Sequence, residues 1–423
     1  MSKLQPARGT RDIYGEESRN MTAVVDIFQR VATSYGFEEL STPIFEFTEV
    51  YKRPLGESSD IVSKEMYTFD SHARDAKESE ELTLRPEFTA GICRAFISNG
   101  MQQNLPCRYM SSGPAFRRER PQKGRYRQFH QINAELFGQA DPEADVDLIA
   151  MAWRILKELG LGDKVVLRLN TLGDRESRAA YRGALVAYFE QHKTSLSEDS
   201  LRRLDSNPLR ILDSKDEGDA KIVAGAPLMS ASMNEASCEF FDLVKKGLDA
   251  SGVPYVLDER LVRGMDYYCH TAFEFVTTEL GAQGTVLAGG RYDGLIEQLG
   301  GPPTPGVGWA GGIERLAMLS EMGDAPARPI VIMPMGEAAT LKAFSLAEDI
   351  RAAGHQVVAD RSGNLKKRLN RANKANARFA VVIGDNELET GVAALKNLDS
   401  GVQQNIAFAE LATVISTTPE DAA

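Results

Sequence analysis

Two stretches with alternating side chains flank a short basic segment between Arg108 and Gly138. Read with the two-residue period of a β-strand, the first stretch carries a row of small side chains that ends at Arg117. The second places Gln131, Asn133 and Glu135 on one face, opposite an apolar face that can pack into a core. The basic residues between the stretches, with Glu119 as the one acidic residue, are Arg117, Arg118, Arg120, Lys123, Arg125 and Arg127. Because arginine forks suit phosphate oxygens, we predict a site for a phosphate-bearing ligand.

A solvated hairpin with a charged tip would also explain a basic segment of this kind. The polar row favours a site, because it lies opposite an apolar face, whereas an ordinary edge strand more often carries Thr, Lys or Ser. The segment FRRERPQKGRYRQFHQ, which begins at Phe116, resembles motif 2 of the class II aminoacyl-tRNA synthetases. Within that class it resembles the histidyl-tRNA synthetase family.

Four further segments resemble motifs of the same family, and they occur in family order. LSTPIFEFTEVYKRPLGESSD resembles motif 1, in which a helix and a strand around a proline such as Pro43 build a dimer interface. RGMDYY resembles the histidine-specific motif RGLDYY, with Met265 in place of leucine, a change that conserves volume. GTVLAGGRYDGL resembles the second histidine motif, and TPGVGWAGGIERLAML resembles motif 3. The resemblance therefore covers almost the whole chain.

The glycines of the last segment have a rival interpretation, because Gly306, Gly308 and Gly311 match the dinucleotide fingerprint GxGxxG. A buried strand should precede that fingerprint, whereas prolines precede these glycines. We instead predict a glycine strand that runs into a helix beginning near Ile313 and presenting Arg315. The second rival function, a dinucleotide-dependent oxidoreductase, is supported by the segment GVGWAGG alone.

The resemblance implies roles for individual residues. Arg117 would grip the α-phosphate and the substrate carboxylate, and Arg263 opposite it would stabilise the charge that develops at phosphorus, so both are predicted catalytic residues. The residues predicted to bind histidine are these two arginines, Glu87, Thr89 and Gln131 around the α-amino group, Glu135 and Tyr268 on the imidazole, Tyr267 and Tyr292 in the pocket wall, and Phe88. The residues predicted to bind ATP are Arg117, Arg125, Tyr126 and Arg315, the last on the γ-phosphate. Phe88 departs from the family, since many relatives have glycine after the glutamate of RPEGT.

The implied activity has two steps: L-histidine reacts with ATP to give histidyl-adenylate and pyrophosphate, and the histidyl group then passes to the 3′ end of tRNA(His). The first step is an in-line displacement at phosphorus, so positioning and charge stabilisation by arginines and Mg²⁺ suffice. No editing domain is predicted, because a site that hydrogen-bonds the imidazole leaves buried polar groups unpaired with other amino acids. The chief rival is the non-catalytic regulatory subunit of ATP phosphoribosyltransferase, which resembles the catalytic domain.

The predicted architecture combines this resemblance with changes in composition along the chain. The sequence turns helix-forming and charge-rich near residue 171, and a Gly, Ala and Pro stretch near 323–329 looks like a linker. We predict an α+β catalytic domain, with an antiparallel class II synthetase sheet flanked by helices, interrupted by a helical insertion and followed by a small α/β anticodon-binding domain. The predicted limits are 1–170 and 248–325 for the catalytic domain, 171–247 for the insertion and 328–423 for the last domain.

Apolar spacing locates several elements. Met21, Val24, Val25, Phe28 and Val31 recur at helical spacing before Gly36, which predicts an amphipathic helix. The short apolar strands predicted in the last domain are Ile330–Met333, Val357–Ala359 and Phe379–Ile383. The basic residues of the stretch 361–378, which resembles the RNA-binding part of the family, are Arg361, Lys366, Lys367, Arg368, Arg371, Lys374 and Arg378. A solvated helix face is the alternative for this stretch.

Composition limits the remaining possibilities. The chain has 423 residues, a net charge of -11 and no run of 18 apolar residues, so we expect no membrane span. The amino terminus lacks the apolar stretch of a secretory signal, which favours a cytoplasmic protein. Four scattered cysteines predict neither a disulfide framework nor a structural zinc site. The acidic total allows a tRNA partner because local basic patches decide phosphate binding. The resemblance also implies a homodimer, while the metal ligands stay unknown.

Overall fold

The computed structural model describes residues 3–56, 61–71, 80–122, 124–263, 267–281, 284–320, 322 and 325–419. The strands are β1 (Glu38–Glu39), β2 (Phe45–Phe47), β3 (Tyr67–Ser71), β4 (Glu80–Leu84), β5 (Cys107–Phe116), β6 (Gln128–Phe137), β7 (Val166–Thr171), β8 (Val256–Leu257), β9 (Cys269–Val276), β10 (Thr285–Arg291), β11 (Gly306–Gly312), β12 (Ile330–Pro334), β13 (Val357–Ala359), β14 (Phe379–Ile383), β15 (Val392–Asn397) and β16 (Gln403–Ala407). The helices are α1 (Gly15–Ser34), α2 (Glu49–Leu55), α3 (Thr89–Ser98), α4 (Pro142–Glu158), α5 (Arg175–Gln191), α6 (Glu198–Ser206), α7 (Glu217–Ala224), α8 (Glu235–Ala250), α9 (Leu295–Gln298), α10 (Ile313–Leu319), α11 (Glu337–Ala352), α12 (Leu365–Lys374), α13 (Asp385–Thr390) and α14 (Leu411–Thr417). No described helix is both long and apolar enough to cross a membrane.

An eight-stranded sheet with the order β1-β5-β6-β11-β10-β9-β7-β8 forms the centre of the first compact unit, Met1–Asp324. All its neighbours from β5 to β7 pair antiparallel, and the short strands β1 and β8 add parallel edges. Helices α1, α4 and α10 pack on one face of this sheet. The expectation of an antiparallel sheet flanked by helices is confirmed.

Strand alternation separates the two faces of the sheet as the sequence predicted. Ile132, Ala134 and Leu136 of β6 are buried in the large apolar core beneath α1 and α4. Asn133 and Glu135 are equally buried on the other face. A polar row thus lies inside the protein and needs partners there.

The predicted amphipathic helix is α1, and its residues Met21, Val24, Phe28 and Val31 are buried. The predicted glycine strand and its following helix are also confirmed: Gly306, Gly308 and Gly311 lie in β11, between β6 and β10 of the antiparallel sheet, and α10 begins at Ile313. These glycines do not open a βαβ unit. The dinucleotide-binding interpretation is therefore wrong on structural grounds.

A second sheet of three strands, β2-β4-β3, lies near the start of the unit. Ile44, Phe45, Phe47 and Phe69 are all more than two-fifths exposed there, and Phe45 and Phe69 make an edge-to-face contact at 6.4 Å between ring centroids. These four residues form what is called below the aromatic patch. A contiguous exposed apolar surface of this kind is typical of an interaction site.

Helices α5 to α8 occupy the stretch for which a helical insertion was predicted. Helices α5, α6 and α7 enclose an apolar cluster of their own, which includes Tyr181, Leu185, Phe189 and Leu204, whereas Val244 and Leu248 of α8 belong to the large core. Helix α8 runs on to Ala250 and packs against α4. The proposed limits of the insertion stay a prediction.

The second compact unit spans Ala325–Ala423. Its five-stranded sheet has the order β13-β12-β14-β15-β16, with β13, β12 and β14 parallel and the last two strands antiparallel. The three predicted strands are confirmed. Helix α11 packs on the sheet through an apolar face that includes Ala343, Leu346, Ala347 and Ile350. The hairpin of β15 and β16 was missed, because β16 (QQNIA) is mostly polar and gives little apolar signal.

Candidate active site

A cavity of about 390 Å³ lies on the polar face of the large sheet, within the usual size range of small-molecule sites. Strands β6, β10 and β11 supply much of its floor, and the start of α3 and the loop after β5 supply walls. The predicted site residues that line it are Glu87, Thr89, Arg117, Arg125, Tyr126, Gln131, Arg263, Tyr268, Tyr292 and Arg315. Residues that are far apart in sequence thus meet at one cavity.

Three predicted residues lie behind the lining. Phe88 is almost fully buried, and its ring packs under the guanidinium of Arg85 at 4.0 Å, in the apolar cluster beside α3. Its side chain therefore does not reach the cavity, although its neighbours Glu87 and Thr89 do. Glu135 and Tyr267 contact lining residues from one layer further in.

One end of the cavity is built around the carboxyl of Glu135. Glu135 is fully buried and accepts hydrogen bonds from the hydroxyls of Thr89 (2.6 Å) and Tyr292. Burial raises the pKa of Glu135 to about 8. A carboxyl in this state can donate as well as accept a hydrogen bond near neutral pH, which suits a ligand with both kinds of group.

Two strand glycines make room for this arrangement. A Cβ atom on Gly308 would overlap the carboxyl of Glu135, and a Cβ on Gly306 would overlap the ring of Tyr292. The glycines that resembled a dinucleotide fingerprint therefore serve a close approach of side chains to β11. The same strand ends where α10 and Arg315 begin.

Glu87 caps the first turn of α3. Its carboxylate accepts hydrogen bonds from the backbone N–H groups of Thr89 (2.6 Å) and Ala90 (2.9 Å). Burial raises the pKa of Glu87, and these backbone donors act in the opposite direction. This fixed anion can receive a cationic group, such as an amine, that enters the cavity.

Tyrosines wall the same end. The ring centroids of Tyr267 and Tyr268 lie 4.7 Å apart, and that of Tyr292 lies 5.6 Å from Tyr267. Burial raises the pKa of all three hydroxyls, so each keeps its proton at neutral pH. Together they offer flat apolar surface with hydroxyl donors.

Arginines converge on the cavity from several strands and loops, and one of them, Arg263, lies 5.4 Å from the ring centroid of Tyr268. Arg117 donates through Nε to the carbonyl of Pro86 (2.9 Å), and its guanidinium lies over the ring of Phe129 at 5.2 Å. Arg263 pairs with Glu274, whose other carboxylate oxygen accepts the hydroxyl of Thr285 at 3.0 Å. The residues 264–266, with the substitution at Met265, lie outside the described residues, as does Lys123.

Arg315 also lines the cavity and is held by two backbone carbonyls, those of Thr285 (2.6 Å) and Gly124 (3.3 Å). Burial, and after it the nearby Arg125, lower the pKa of Arg315. Arg125 pairs with Glu119 at 2.8 Å. Crowded and partly desolvated arginines of this kind favour a bound anion, because its negative charge would offset both the desolvation and the repulsion between the arginines.

Tyr126, on the same loop, also lines the cavity, and the guanidinium of Arg11 lies 4.1 Å from the centre of its ring. A cation over an aromatic face stabilises the ring in one orientation. The amino-terminal segment thus helps to place this wall.

Sequence reasoning missed two acidic residues at the site, Glu274 and Glu314. A carboxylate between Phe273 and Phe275 in an apolar strand is a sequence signal that could have found Glu274. Glu314 lines the cavity and accepts hydrogen bonds from the backbone N–H (2.9 Å) and the imidazole Nδ1 (2.8 Å) of His130.

The position of Glu314 follows from the ends of two strand ladders. His130 pairs with Pro114 on β5, and on its other side β11 ends opposite Gln131. The carboxylate of Glu314 therefore takes an N–H group that the sheet leaves free, and so holds the part of β6 that carries Phe129 and Gln131 into the cavity.

Known proteins match this chain along its whole length. The family model described as histidyl-tRNA synthetase matches residues 9–316, and the model described as anticodon binding domain matches residues 329–418. The chain belongs to the histidyl-tRNA synthetase family. The first family model covers the residues of the large sheet and of the cavity lining, and the second covers most of the last compact unit.

Individual members of the histidyl-tRNA synthetase family are closely similar. A histidine-tRNA ligase of Gluconobacter oxydans is 54% identical over 416 residues, which cover 98% of this chain and 99% of that protein. One from Rhodospirillum rubrum is 54% identical over 413 residues, 97% of this chain and 98% of that protein. The crystal structure of apo histidyl-tRNA synthetase from S. aureus superposes with a TM-score of 0.81 at 33% identity, covering 98% of this chain and 100% of that one.

Proposed function

We propose that this chain is a histidine-tRNA ligase, which activates L-histidine with ATP and transfers it to tRNA(His). The observation that carries the proposal is a single cavity at which a buried carboxyl, tyrosines and several arginines converge. The carboxyl and the tyrosines suit an imidazole, and the arginines suit phosphates. Full-length relatives at 54% identity with that name support the same activity.

Histidine would lie at the carboxyl end of the cavity. Glu135 and Tyr268 would hydrogen-bond the imidazole, which has one donor and one acceptor when neutral. Glu87, Thr89 and Gln131 would hold the α-amino group. Gln131 supports this role, because its buried Oε1 has no hydrogen-bond partner among the described residues and can accept from a ligand.

Adenylation would take place where the histidine carboxylate meets the arginines of the cavity. The histidine carboxylate attacks the α-phosphate, and Arg117 and Arg263 would stabilise the charge that builds up on that phosphate. Arg315, with Arg125 and Tyr126, would hold the remaining part of ATP. No covalent bond to the protein is required, since the substrate supplies the nucleophile.

Mg²⁺ fits the donor chemistry of the site as a partner of ATP. This ion takes oxygen ligands, and it is usually held by one or two carboxylates together with phosphates. The described residues contain no group of three or more His, Cys, Asp or Glu that could hold a metal by themselves. Glu274 and Thr285, which are linked to Arg263 and Arg315, are the oxygen donors that would take it. When bound, Mg²⁺ would offset phosphate charge.

Two further features support the proposed partners. The aromatic patch belongs to the segment that resembles motif 1 and to the strand that follows it, and a second copy of the chain would bury it in a homodimer. The last compact unit, matched by the anticodon-binding model, would bind the tRNA anticodon. A cytoplasmic location agrees with cysteines that form no disulfide among the described residues.

The alternative, the regulatory subunit of ATP phosphoribosyltransferase, is not favoured, because the full-length relatives at 54% identity are histidine-tRNA ligases. One solved structure described both as that subunit and as a histidyl-tRNA synthetase shares the fold at 21% identity with a TM-score of 0.65. ATP to pyrophosphate exchange with each of the twenty amino acids in turn separates the two activities. We expect exchange with histidine alone, followed by charging of tRNA(His). Folded protein that exchanges with no amino acid would overturn the proposal.

A further inference from the structure

The segment that precedes α1 contacts the loop between β5 and β6, which supplies part of the cavity wall. Residues 8–11 of this segment, called below the amino-terminal strap, lie against the point where the loop returns to β6. The backbone N–H of Arg127 donates to the carbonyl of Gly9 at 2.8 Å, and the guanidinium of Arg127 donates to the carbonyl of Arg8 at 3.2 Å. Two carbonyls of the strap are therefore bonded to one residue of the loop.

The same residue of the loop is bonded to the proposed ATP site. The carbonyl of Arg127 accepts a hydrogen bond at 2.9 Å from the backbone N–H of Arg117, the residue proposed to bind the α-phosphate. The residue before it, Tyr126, lines the cavity. The backbone of Arg127 thus links the strap to the site, through its N–H on one side and its carbonyl on the other.

Gly9 is required by the closeness of this contact. Its φ of +88° lies in the left-handed region that favours glycine. A Cβ atom there would lie 2.7 Å from both Cγ and Cδ of Arg127 and 3.0 Å from Cγ of Pro121. Any larger residue at this position would therefore push the strap away from the loop.

Arg11 makes the second contact between the strap and the loop. Its guanidinium lies 4.1 Å from the centre of the Tyr126 ring, and it also pairs with Glu17 in the first turn of α1. Helix α1 is anchored in the large core by its apolar face. Arg11 therefore holds the ring of Tyr126 against an element that is itself fixed.

Polar contacts, with little apolar burial, hold the strap in place. Residues 3–8 are exposed, and Leu4 is 94% exposed, whereas Ile13, beyond the strap, packs against the large core. A segment of this kind opens at a lower free energy than the core does. A change in the strap should therefore alter the loop without unfolding the catalytic unit.

We propose that Gly9 and Arg11 are positioning residues for ATP, because the strap holds the loop that carries Arg125 and Tyr126 in its binding position. The inference rests on the proposed function, in which these two loop residues bind ATP. A loop that is ordered before ATP arrives has less conformational entropy to lose on binding, so ATP binds more tightly. The strap contacts this loop, so the affinity for ATP should depend on it more than the affinity for histidine does.

The first test compares Gly9→Ala with Gly15→Ala. Both glycines have a left-handed φ, +88° and +65°, but a Cβ atom at Gly15 would meet nothing within 4 Å. In histidine-dependent ATP to pyrophosphate exchange, Gly9→Ala should raise the KM for ATP about tenfold and the KM for histidine less than about twofold. Gly15→Ala, which has the same backbone strain without the displaced contact, should change both KM values by less than about twofold.

The second test addresses the contact between Arg11 and Tyr126. Arg11→Ala should raise the KM for ATP about three- to tenfold, because the ring loses the cation that orients it. Arg11→Lys should recover part of this loss, since an ammonium group is also attracted to the ring face. In a protein that already carries Tyr126→Leu, Arg11→Ala should add less than about twofold, because its partner is absent.

The outcomes separate the strap from a general effect on the fold. Equal rises of the two KM values in Gly9→Ala, or the same rise in Gly15→Ala, would overturn the proposal. Effects of Arg11→Ala and Tyr126→Leu that simply multiply would overturn the role of their contact. Thermal unfolding monitors the folding of each variant, and the Arg11 variants carry the test if Gly9→Ala unfolds.

A binding measurement keeps this inference separate from the proposed function. The affinity for ATP, measured by calorimetry, should fall in Gly9→Ala and Arg11→Ala and stay unchanged in Gly15→Ala. Wild-type protein that binds ATP and shows no exchange with histidine would refute the proposed function. Unchanged affinity for ATP in both strap variants would refute the positioning role.

Discussion

Two arginine-rich regions of the molecule look alike in sequence and differ in structure. In the cavity, Arg117 and Arg315 are each held by backbone carbonyls and still line the open space. In the stretch 361–378, Arg368 is buried, and its guanidinium donates hydrogen bonds to the carbonyls of Pro334 (2.6 Å), Gly363 (3.0 Å) and Arg361 (2.9 Å). Neighbouring Lys366 and Lys367 are exposed.

The comparison teaches that a basic run does not define a binding surface by itself. Arg371 pairs with Asp360, which lies just before the run, and Arg378 donates to the carbonyl of Thr418. Three of the basic residues of this stretch are therefore structural ties within the last compact unit. The other basic side chains of the stretch are exposed, and these are the candidates for RNA binding: Arg361, which lies 4.4 Å from the ring centroid of Phe344, Lys366, Lys367 and Lys374.

The largest expected effect is at the cavity. Arg263→His should lower ATP to pyrophosphate exchange by about 10²-fold or more, because the charge on the α-phosphate loses a preorganised cation. Arg168→His is the control, since Arg168 lies on β7 in a half-exposed pair with Asp258. Near-normal exchange by Arg263→His would mean that this cavity arginine, like those buried in the stretch 361–378, has a structural and not a catalytic role.

Arg368→Ala tests the structural side of the comparison. It should lower the free energy of unfolding of the last compact unit by about 2–3 kcal/mol, because several carbonyls lose their donor in a buried setting. Hydrogen exchange of β12 and β14 measures this locally, and Lys367→Ala should change it by less than about 0.5 kcal/mol. Pyrophosphate exchange should not change. Unaltered hydrogen exchange in Arg368→Ala would overturn the stabilising role of these hydrogen bonds.

The buried carboxyl of Glu135 gives the site a pH signature. Its pKa is raised to about 8 from 4.5, so between these values the folded state keeps a proton that the unfolded state releases. Stability from this group is therefore full below pH 4.5 and is lost as pH rises toward 8, with a slope on the order of 1 kcal/mol per pH unit. Glu135→Gln should remove that slope, as urea unfolding at pH 5.5 and 7.5 would measure. Parallel pH dependence in both proteins would contradict the raised pKa.

The smallest effect is expected on the exposed part of the basic stretch. The double variant Lys366→Ala with Lys367→Ala should raise the KM for tRNA about three- to tenfold, because each lysine offers one phosphate contact. Pyrophosphate exchange and the unfolding of the last unit should stay as in wild type. An unchanged KM for tRNA, measured at low salt, would favour the alternative that this stretch is a solvated helix face with no RNA contact.

Local patterns predicted much of the fold because they are read from neighbouring residues. The alternation in β5 and β6, the apolar period of α1 and the glycine strand before α10 all appear as expected. Phe88 was grouped with the site from its neighbours, yet the first turn of α3 directs its ring into the core. Glu274 and Glu314 were missed, since their partners Arg263 and His130 lie on other elements.

The sequence by itself determined the family, the order of its motifs and the residue types that meet at the cavity, because each motif is a short run whose spacing matches the family pattern. The tertiary structure alone decided which charged groups are free to act. The burial and pairing of Arg117, Arg368 and Glu135 depend on strands and helices that are distant in the chain. The surroundings set the protonation state of a carboxyl and the hydrogen bonds that a guanidinium can still make, because burial removes water and neighbouring groups replace it.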